Sequence, residues 1–236
     1  MEKNFSISVI VPFFNEETTV EKSVTSLVEM NVFKEIILVD NCSTDKSKEI
    51  VDLKFGRLEN VISISACEKQ GKGYCVQKGL TRATSTHVVV HDADLEYNPE
   101  DLSEMISLAI DYPDDLILGS RIIGVKNREN KYFYTKFFNK VFSLYFSILN
   151  LYRVSDISTC YQINSLAKLK QMNLNEMGFA IEVEILSKNL KMGHKVLEVP
   201  IGYSGRTYAE GKKIKIADAI SIFYKILKFS KLNFFF

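Results

Sequence analysis

Short apolar runs alternate with longer segments of helical period through the first half of the chain. Ile7 to Val11 reads as a buried strand ending at Pro12, and Asn15-Glu16-Glu17-Thr18-Thr19 then opens an amphipathic helix to about residue 30. Ile36-Ile37-Leu38-Val39 is a second strand. It ends at Asp40-Asn41-Cys42-Ser43-Thr44-Asp45, where Ser and Asp stand near the N-cap of the next helix. Val61 to Ile64 predicts a third strand, and Lys69-Gln70-Gly71-Lys72-Gly73 turns from it into a helix over about residues 73–83. A fourth run, Thr86 to His91, leads into acidic residues, and a fifth, Leu116-Ile117-Leu118, ends at Gly119-Ser120-Arg121. Strands of about five residues alternating with helices of about 10–15 predict an α/β fold, a mostly parallel sheet flanked by helices on both faces. Polar, turn-forming residues close nearly every strand, so ligands are expected along one edge of that sheet. No Gly-x-Gly-x-x-Gly follows the first strand, which argues against a dinucleotide-binding oxidoreductase.

At the end of the fourth strand, Asp92, Asp94 and Glu96 occupy alternate positions. If extended geometry continues through Glu96, all three carboxylates share a face. Anions so placed repel one another unless a cation sits among them, and hard oxygen ligands suit Mg²⁺ or Mn²⁺. The plainer reading is a solvated polar loop, with Asn98-Pro99-Glu100-Asp101 starting the next helix; the position at a strand's carboxyl end favours the site. By the same alternation His91 points away from the acids and is packed. Gly71-Lys72-Gly73 lacks the Walker spacing and its Ser/Thr, so it reads as a structural turn. Glu182 and Glu184 are expected to share a face, either orienting an acceptor or pairing with basic residues.

The chain has 236 residues and a formal net charge of +1, ordinary for one globular domain, but its charge is divided. Residues 1–118 carry 11 Lys+Arg against 21 Asp+Glu, net −10, and residues 119–236 carry 19 against 8, net +11. The basic half has reason to meet phosphates, anionic lipid or the acidic half itself. No helix-turn-helix, zinc-finger or aromatic RNA-binding signature accompanies that charge, so nucleic acid is not the expected partner. Cys42, Cys67, Cys75 and Cys160 form no Cys-x-x-Cys pair, the three histidines lack zinc-ligand spacing, and no signal peptide is evident; a reduced, cytoplasmic setting follows. Two segments combine apolar and aromatic residues with lysines: 131–152, with Lys131, Lys136 and Lys140, and 214–236, with Lys225, Lys228 and Lys231. Each is too short or too interrupted to span a bilayer, and both suit helices lying in the membrane interface or packed on the sheet.

In order at strand ends stand Pro12-Phe13-Phe14-Asn15-Glu16, Asp40-Asn41-Cys42-Ser43, Gly71-Lys72-Gly73, Asp92-Ala93-Asp94 and Gly119-Ser120-Arg121. Later blocks are Asp156-Ile157-Ser158-Thr159-Cys160-Tyr161, Glu182-Val183-Glu184, Glu198-Val199-Pro200-Ile201 and Arg206-Thr207-Tyr208-Ala209-Glu210-Gly211-Lys212-Lys213. The series resembles family 2 glycosyltransferases of the GT-A (Rossmann-like) fold, most closely the polyprenyl (dolichyl) phosphate sugar synthase branch, over roughly residues 5–228.

The resemblance implies a catalytic domain over residues 1–213 followed by a C-terminal amphipathic helix at 214–236. It implies a GDP- or UDP-linked sugar donor, with Pro12, Phe14 and Glu16 near the nucleoside and Asp40 and Asn41 near base or ribose. Asp92, Ala93 and Asp94 would hold the metal–diphosphate unit, with Glu96 as a third metal ligand where many relatives carry Gln. Arg121, Arg206, Lys212 and Lys213 would stabilise the departing nucleoside diphosphate, the last three from a loop that closes over the donor. A hydroxyl acceptor needs a carboxylate base, for which Asp156 is the reserve candidate, whereas a polyprenyl phosphate brings its own charge. The expected reaction is inverting transfer of a hexose to a lipid phosphate at the cytoplasmic face of the membrane, where a membrane protein partner could join. A hydroxyl acceptor in surface polysaccharide, a non-catalytic sugar-nucleotide-binding protein and an Asp-nucleophile phosphohydrolase are the competing readings. The last fits poorly, since Leu95-Glu96 follows Asp94 and three strands precede the motif.

Overall fold

A computed structural model describes residues 5–66, 68–124, 128–129, 133–207 and 216–232 of the chain. Seven strands form the main sheet: β1 (Ile7–Phe13), β2 (Glu35–Asp40), β3 (Val61–Ser65), β4 (His87–Val90), β5 (Leu116–Ser120), β7 (Gln162–Ser165) and β8 (Val196–Pro200). Their order is β3-β2-β1-β4-β7-β5-β8. Every pairing is parallel except those of β7, which runs antiparallel to both β4 and β5. Helices α1 (Val20–Met30), α2 (Ser47–Phe55), α3 (Lys72–Arg82) and α4 (Leu102–Asp111) provide the crossovers of the first half. β1 and β5 are buried at every position, as apolar runs covered on both faces must be. The mostly parallel sheet flanked by helices is the architecture expected above.

β7 has no apolar pattern to announce it. Gln162 and Asn164 are nonetheless buried, with partners for most of their polar atoms: Gln162 Nε2 donates to the carbonyls of Thr159 and Glu182, and the Asn189 amide donates to Asn164 Oδ1 at 2.8 Å. The short strands β6 (Arg128–Glu129) and β9 (Tyr203–Ser204) pair in parallel beside the main sheet, and α6 (Leu166–Gln171) follows β7.

The second half packs α5 (Phe133–Asn150), α7 (Ile181–Lys191) and α8 (Ile216–Phe229) around a smaller core. Leu116 and Leu118 of β5 meet Phe146, Val183, Leu186 and Ile226 there. α5 and α8 therefore cover the sheet with one face each. Their other faces stay in solvent: Phe137, Val141, Leu144 and Ile148 on α5, and Ile220, Phe223, Tyr224 and Leu227 on α8, recur at helical spacing and are exposed. Tyr145 stacks on Phe223, with ring centroids 4.3 Å apart, and joins the two stripes. Among the described residues no helix is long and apolar enough to cross a membrane. Residues 131–132, 214–215 and 233–236 of the two predicted segments lie outside the described residues.

One local expectation fails. β4 stops at Val90, and Leu95 takes a left-handed conformation with φ 60°. Alternation of faces cannot continue through a turn, so Asp92 meets Lys72 while Asp94 and Glu96 meet Arg206.

Candidate active site

Three loops leave the carboxyl ends of β1, β2 and β4, each turned by a left-handed non-glycine residue: Asn15 (φ 50°), Cys42 (φ 65°) and Leu95 (φ 60°). Such a conformation costs about 1–2 kcal/mol per residue, so each needs support. Asn15 receives it from the β2 loop, where its Oδ1 accepts from Thr44 N at 2.8 Å and its backbone N–H donates to Ser43 Oγ at 3.0 Å. Glu16 N donates to Ser47 Oγ at 2.7 Å, which fixes the buried Glu16 at the sheet edge. Pro12 stays within β1, opposite Val39, and Ala93 is buried beneath the acidic turn.

Asp40 accepts from Ser43 N at 2.9 Å, closing its own loop. Asn41 Oδ1 accepts from the N–H groups of Gln70 (2.9 Å) and Gly71 (3.1 Å), and so shapes the turn into α3. That turn sets Lys69 Nζ 3.9 Å from the centroid of the Phe14 ring. The glycines of Gly71-Lys72-Gly73 have a steric reason: a Cβ would lie 2.4 Å from the Met177 carbonyl oxygen at Gly71 and 2.1 Å from that of Glu176 at Gly73. This is the structural turn expected, but it also delivers Lys72, which sequence reasoning missed.

Lys72 Nζ lies 2.7 Å and 2.8 Å from the two oxygens of Asp92 and 2.6 Å from Glu182 Oε1. Burial works against the ammonium, yet the two carboxylates hold its pKa well above the ordinary lysine range. Asp92, with both oxygens on Lys72, stays ionised against its own burial; Glu182, with a single contact, is pushed up by burial. Glu182 and Glu184 do not share a face, because they lie two apart on helix α7. Glu184 instead accepts from the N–H groups of Asn175 (3.0 Å) and Glu176 (2.8 Å) and pairs with Lys188. His91 is packed as expected, bonded to Ser23 Oγ (3.0 Å) and Tyr161 Oη (2.8 Å); burial lowers its pKa to about 4.

The second acid of the turn meets a different cation. Arg206 follows β9 and meets three carboxylates, two through its fork, Nη1 to Glu16 Oε2 (2.9 Å), Nη2 to Glu16 Oε1 (3.2 Å) and to Asp94 Oδ2 (3.0 Å), and the third through its backbone N–H, to Glu96 Oε1 (2.7 Å). Glu96 also accepts from Tyr203 Oη at 2.8 Å, and Gly202 N donates to Asp101 Oδ2 at 2.7 Å, so residues 202–206 are stitched to residues 96–101. Burial, then Asp92 and Glu96, raise the Asp94 pKa to about 7. Arg206 Nε is buried with no hydrogen-bond partner.

Asp156 is the reserve base expected for a hydroxyl acceptor. It is fully buried, accepts from Arg121 Nε (2.7 Å), Nη2 (2.8 Å) and backbone N (3.1 Å) and from Asn139 Nδ2 (3.0 Å). Burial is outweighed by that guanidinium, which holds its pKa at about 2. A carboxylate so held is a weak proton acceptor at neutral pH. Arg121 pairs with Asp156 and stacks over Tyr203, 4.9 Å from the ring centroid. Lys212 and Lys213 lie outside the described residues.

Among the described residues no three His, Cys, Asp or Glu side chains converge on a metal-sized position in this conformation. Asp92 is drawn to Lys72, while Glu16, Asp94 and Glu96 surround Arg206. A ring of carboxylates already holding a guanidinium has the charge and the hard oxygen donors that a divalent cation needs.

The sequence profile named Glycosyl transferase family 2 matches residues 8–171. A dolichol-phosphate mannosyltransferase of Pyrococcus furiosus is 29% identical over 213 residues, 87% of this chain and 58% of its own length. The chain thus spans little more than half of that relative. A UDP-N-acetylglucosamine–dolichyl-phosphate N-acetylglucosaminyltransferase of Methanococcus voltae is 27% identical over 240 residues, covering 94% of each. The crystal structure of glucosyl-3-phosphoglycerate synthase from Mycobacterium tuberculosis, in complex with Mn²⁺, UDP and glucosyl-3-phosphoglycerate, superposes with a TM-score of 0.75 at 17% identity, over 96% of this chain and 80% of that one. That likeness carries the GT-A fold.

Proposed function

This chain belongs to glycosyl transferase family 2, and we propose that it moves a hexose from a nucleoside-diphosphate donor to a polyprenyl phosphate. The observation that carries the reading is the convergence of Glu16, Asp92, Asp94 and Glu96 at one sheet edge, each matched with a cation, Lys72 or Arg206. A diphosphate entering that edge finds cationic donors for its oxygens. Phe14, Asp40 and Asn41 line the neighbouring strand ends, where the nucleoside would lie. Donors carrying UDP in the relatives' names and structures favour a uridine nucleotide over a guanosine one.

Displacement at the anomeric carbon forms a bond to the acceptor oxygen as the bond to the diphosphate breaks, inverting that centre. Arg206, which reaches the acidic turn through a flexible stem, is placed to meet charge that grows on the leaving group. Mg²⁺ or Mn²⁺, held by Asp94 and Glu96, would neutralise diphosphate charge when bound. The acceptor assignment rests on Asp156: the carboxylate expected to serve a hydroxyl acceptor is locked to Arg121, whereas a phosphate needs no base. Relatives named for dolichyl phosphate support the same acceptor.

The exposed stripes of α5 and α8 would seat the enzyme on the membrane holding such a lipid, with lysines at the headgroups and the active site on the cytoplasmic side. The experiment supplies radiolabelled nucleotide sugars with and without polyprenyl phosphate in anionic liposomes. Label should enter an organic-extractable lipid, and the protein should bind the liposomes in a salt-sensitive way. Label found only in water-soluble oligosaccharide, without liposome binding, would establish the hydroxyl acceptor instead.

A further inference from the structure

Arg206 is not where a loop cation waiting for a ligand belongs. Its side chain is 13% exposed and its guanidinium is bonded to Glu16 through both Nη atoms and to Asp94 through one. Glu96 takes the same residue's backbone N–H. The three carboxylates come from loops after β1 and β4 and would repel one another without that charge. Glu16 contributes two of the three side-chain bonds, so it is the main holder of the fork. One guanidinium atom, Nε, is buried with no hydrogen-bond partner and lies 4.0 Å from Glu96, so the fit is imperfect and the cost of leaving is reduced.

We propose that Arg206 and a divalent cation are alternative occupants of the Glu16–Asp94–Glu96 ring, with Glu16 as the anchor that sets the exchange. In the metal-free protein Arg206 closes the ring. When a cation takes the oxygens of Asp94 and Glu96, the Arg206 fork loses Asp94 and its N–H loses Glu96, and the segment from β9 to Arg206 is released from the acidic turn. The ring is thereby satisfied before loading, and Arg206 is freed toward the diphosphate by the cation that binds with it. The inference rests on the proposed use of Mg²⁺ or Mn²⁺ by this site.

The sign of one variant separates this exchange from simple electrostatics. Removing an anion beside a cation site ordinarily weakens metal binding. Here Glu16→Gln should strengthen it, because it loosens Arg206 more than it costs the metal. Mn²⁺ binding to the full chain without nucleotide, followed by loss of the free-ion EPR signal, should be about tenfold tighter in Arg206→Gln and roughly fivefold tighter in Glu16→Gln than in the unaltered protein. In the unaltered protein, Mg²⁺ alone should speed hydrogen exchange at the amides of Ser204 and Arg206, which donate to the Glu96 carbonyl and carboxylate. Weaker or unchanged Mn²⁺ binding in Glu16→Gln, or unchanged exchange at residues 204–206 under saturating Mg²⁺, would overturn the exchange while leaving metal-dependent transfer intact. Failure of all three proteins to bind Mn²⁺, with sugar transfer unaffected by EDTA, would remove the metal reading and this inference together.

Discussion

Asp92 and Asp94 stand two residues apart on one turn and have met opposite fates. Asp92 is locked on Lys72, which a glycine-flanked helix start brings in from below and which Glu182 holds from the other side. Asp94 is matched with Arg206, a residue that arrives from beyond the sheet and shares its charge with Glu16. The first contact is rigid, because all three partners sit on regular elements or their ends. The second depends on a short strand and its hydrogen bonds to residues 96–101. Buried charge at this edge is therefore divided between a pair that fixes the fold and a pair that can be exchanged.

Lys72→Ala is the strongest way to break that division. It leaves Asp92 and Glu182 buried without their cation and should cost roughly 3–5 kcal/mol in urea denaturation. A loss under about 1 kcal/mol would mean that the Lys72 pair is as exchangeable as its neighbour.

Asp94→Asn should do the reverse. Transfer should fall on the order of a thousandfold, about 4 kcal/mol of barrier, while the denaturation midpoint barely moves. Full activity of this variant in excess EDTA would show that Asp94 has no part in the chemistry.

The Arg121–Asp156 pair is a third case, more deeply buried, against which the other two are measured. The folded pKa of Asp156, about 2, lies below the ordinary 3.8, so its contribution is complete above pH 4 and is lost as pH falls from 4 toward 2. Asp156→Asn should remove about 2–3 kcal/mol at neutral pH and flatten acid unfolding in that window. It should keep transfer within about tenfold of the unaltered enzyme if the acceptor is a phosphate. Near-abolition of transfer by a folded Asp156→Asn protein would restore Asp156 as a base.

Arg206→Ala sharpens the comparison most finely. Turnover should drop about thirtyfold with donor KM changed less than about threefold, since leaving-group charge appears in the transition state. A rise confined to KM would make Arg206 a ground-state binder.

Much of this arrangement was legible in the sequence. The first five strands, the polar loops at their ends and the helices between them follow from periodicity, the acids at 92, 94 and 96 stand out by position, and those at 16 and 40 through the family resemblance. β7 was not, since Gln162, Asn164 and Ser165 carry no apolar signal, and the first two are buried against partners on neighbouring elements. The shared face assigned to Asp92, Asp94 and Glu96 failed at Leu95, where a left-handed residue replaces the strand. Lys72 was visible as a residue but not as a ligand of Asp92. A lone lysine between glycines gives no hint of a carboxylate 110 positions later that needs it.

By itself the sequence determined where strands end and which residue types stand there, because hydrophobic period and turn chemistry act over a few neighbouring positions. Tertiary structure decided which acid meets which base. Glu16 and Arg206 are 190 residues apart and meet only because the β1 loop and the segment after β8 close on one sheet edge. Asp156 reads in the sequence as a reserve base, and only the fold shows that Arg121, 35 residues away, reaches it. The partners of a buried charge are set by packing of distant elements, and its chemistry follows from those partners rather than from its own place in the chain.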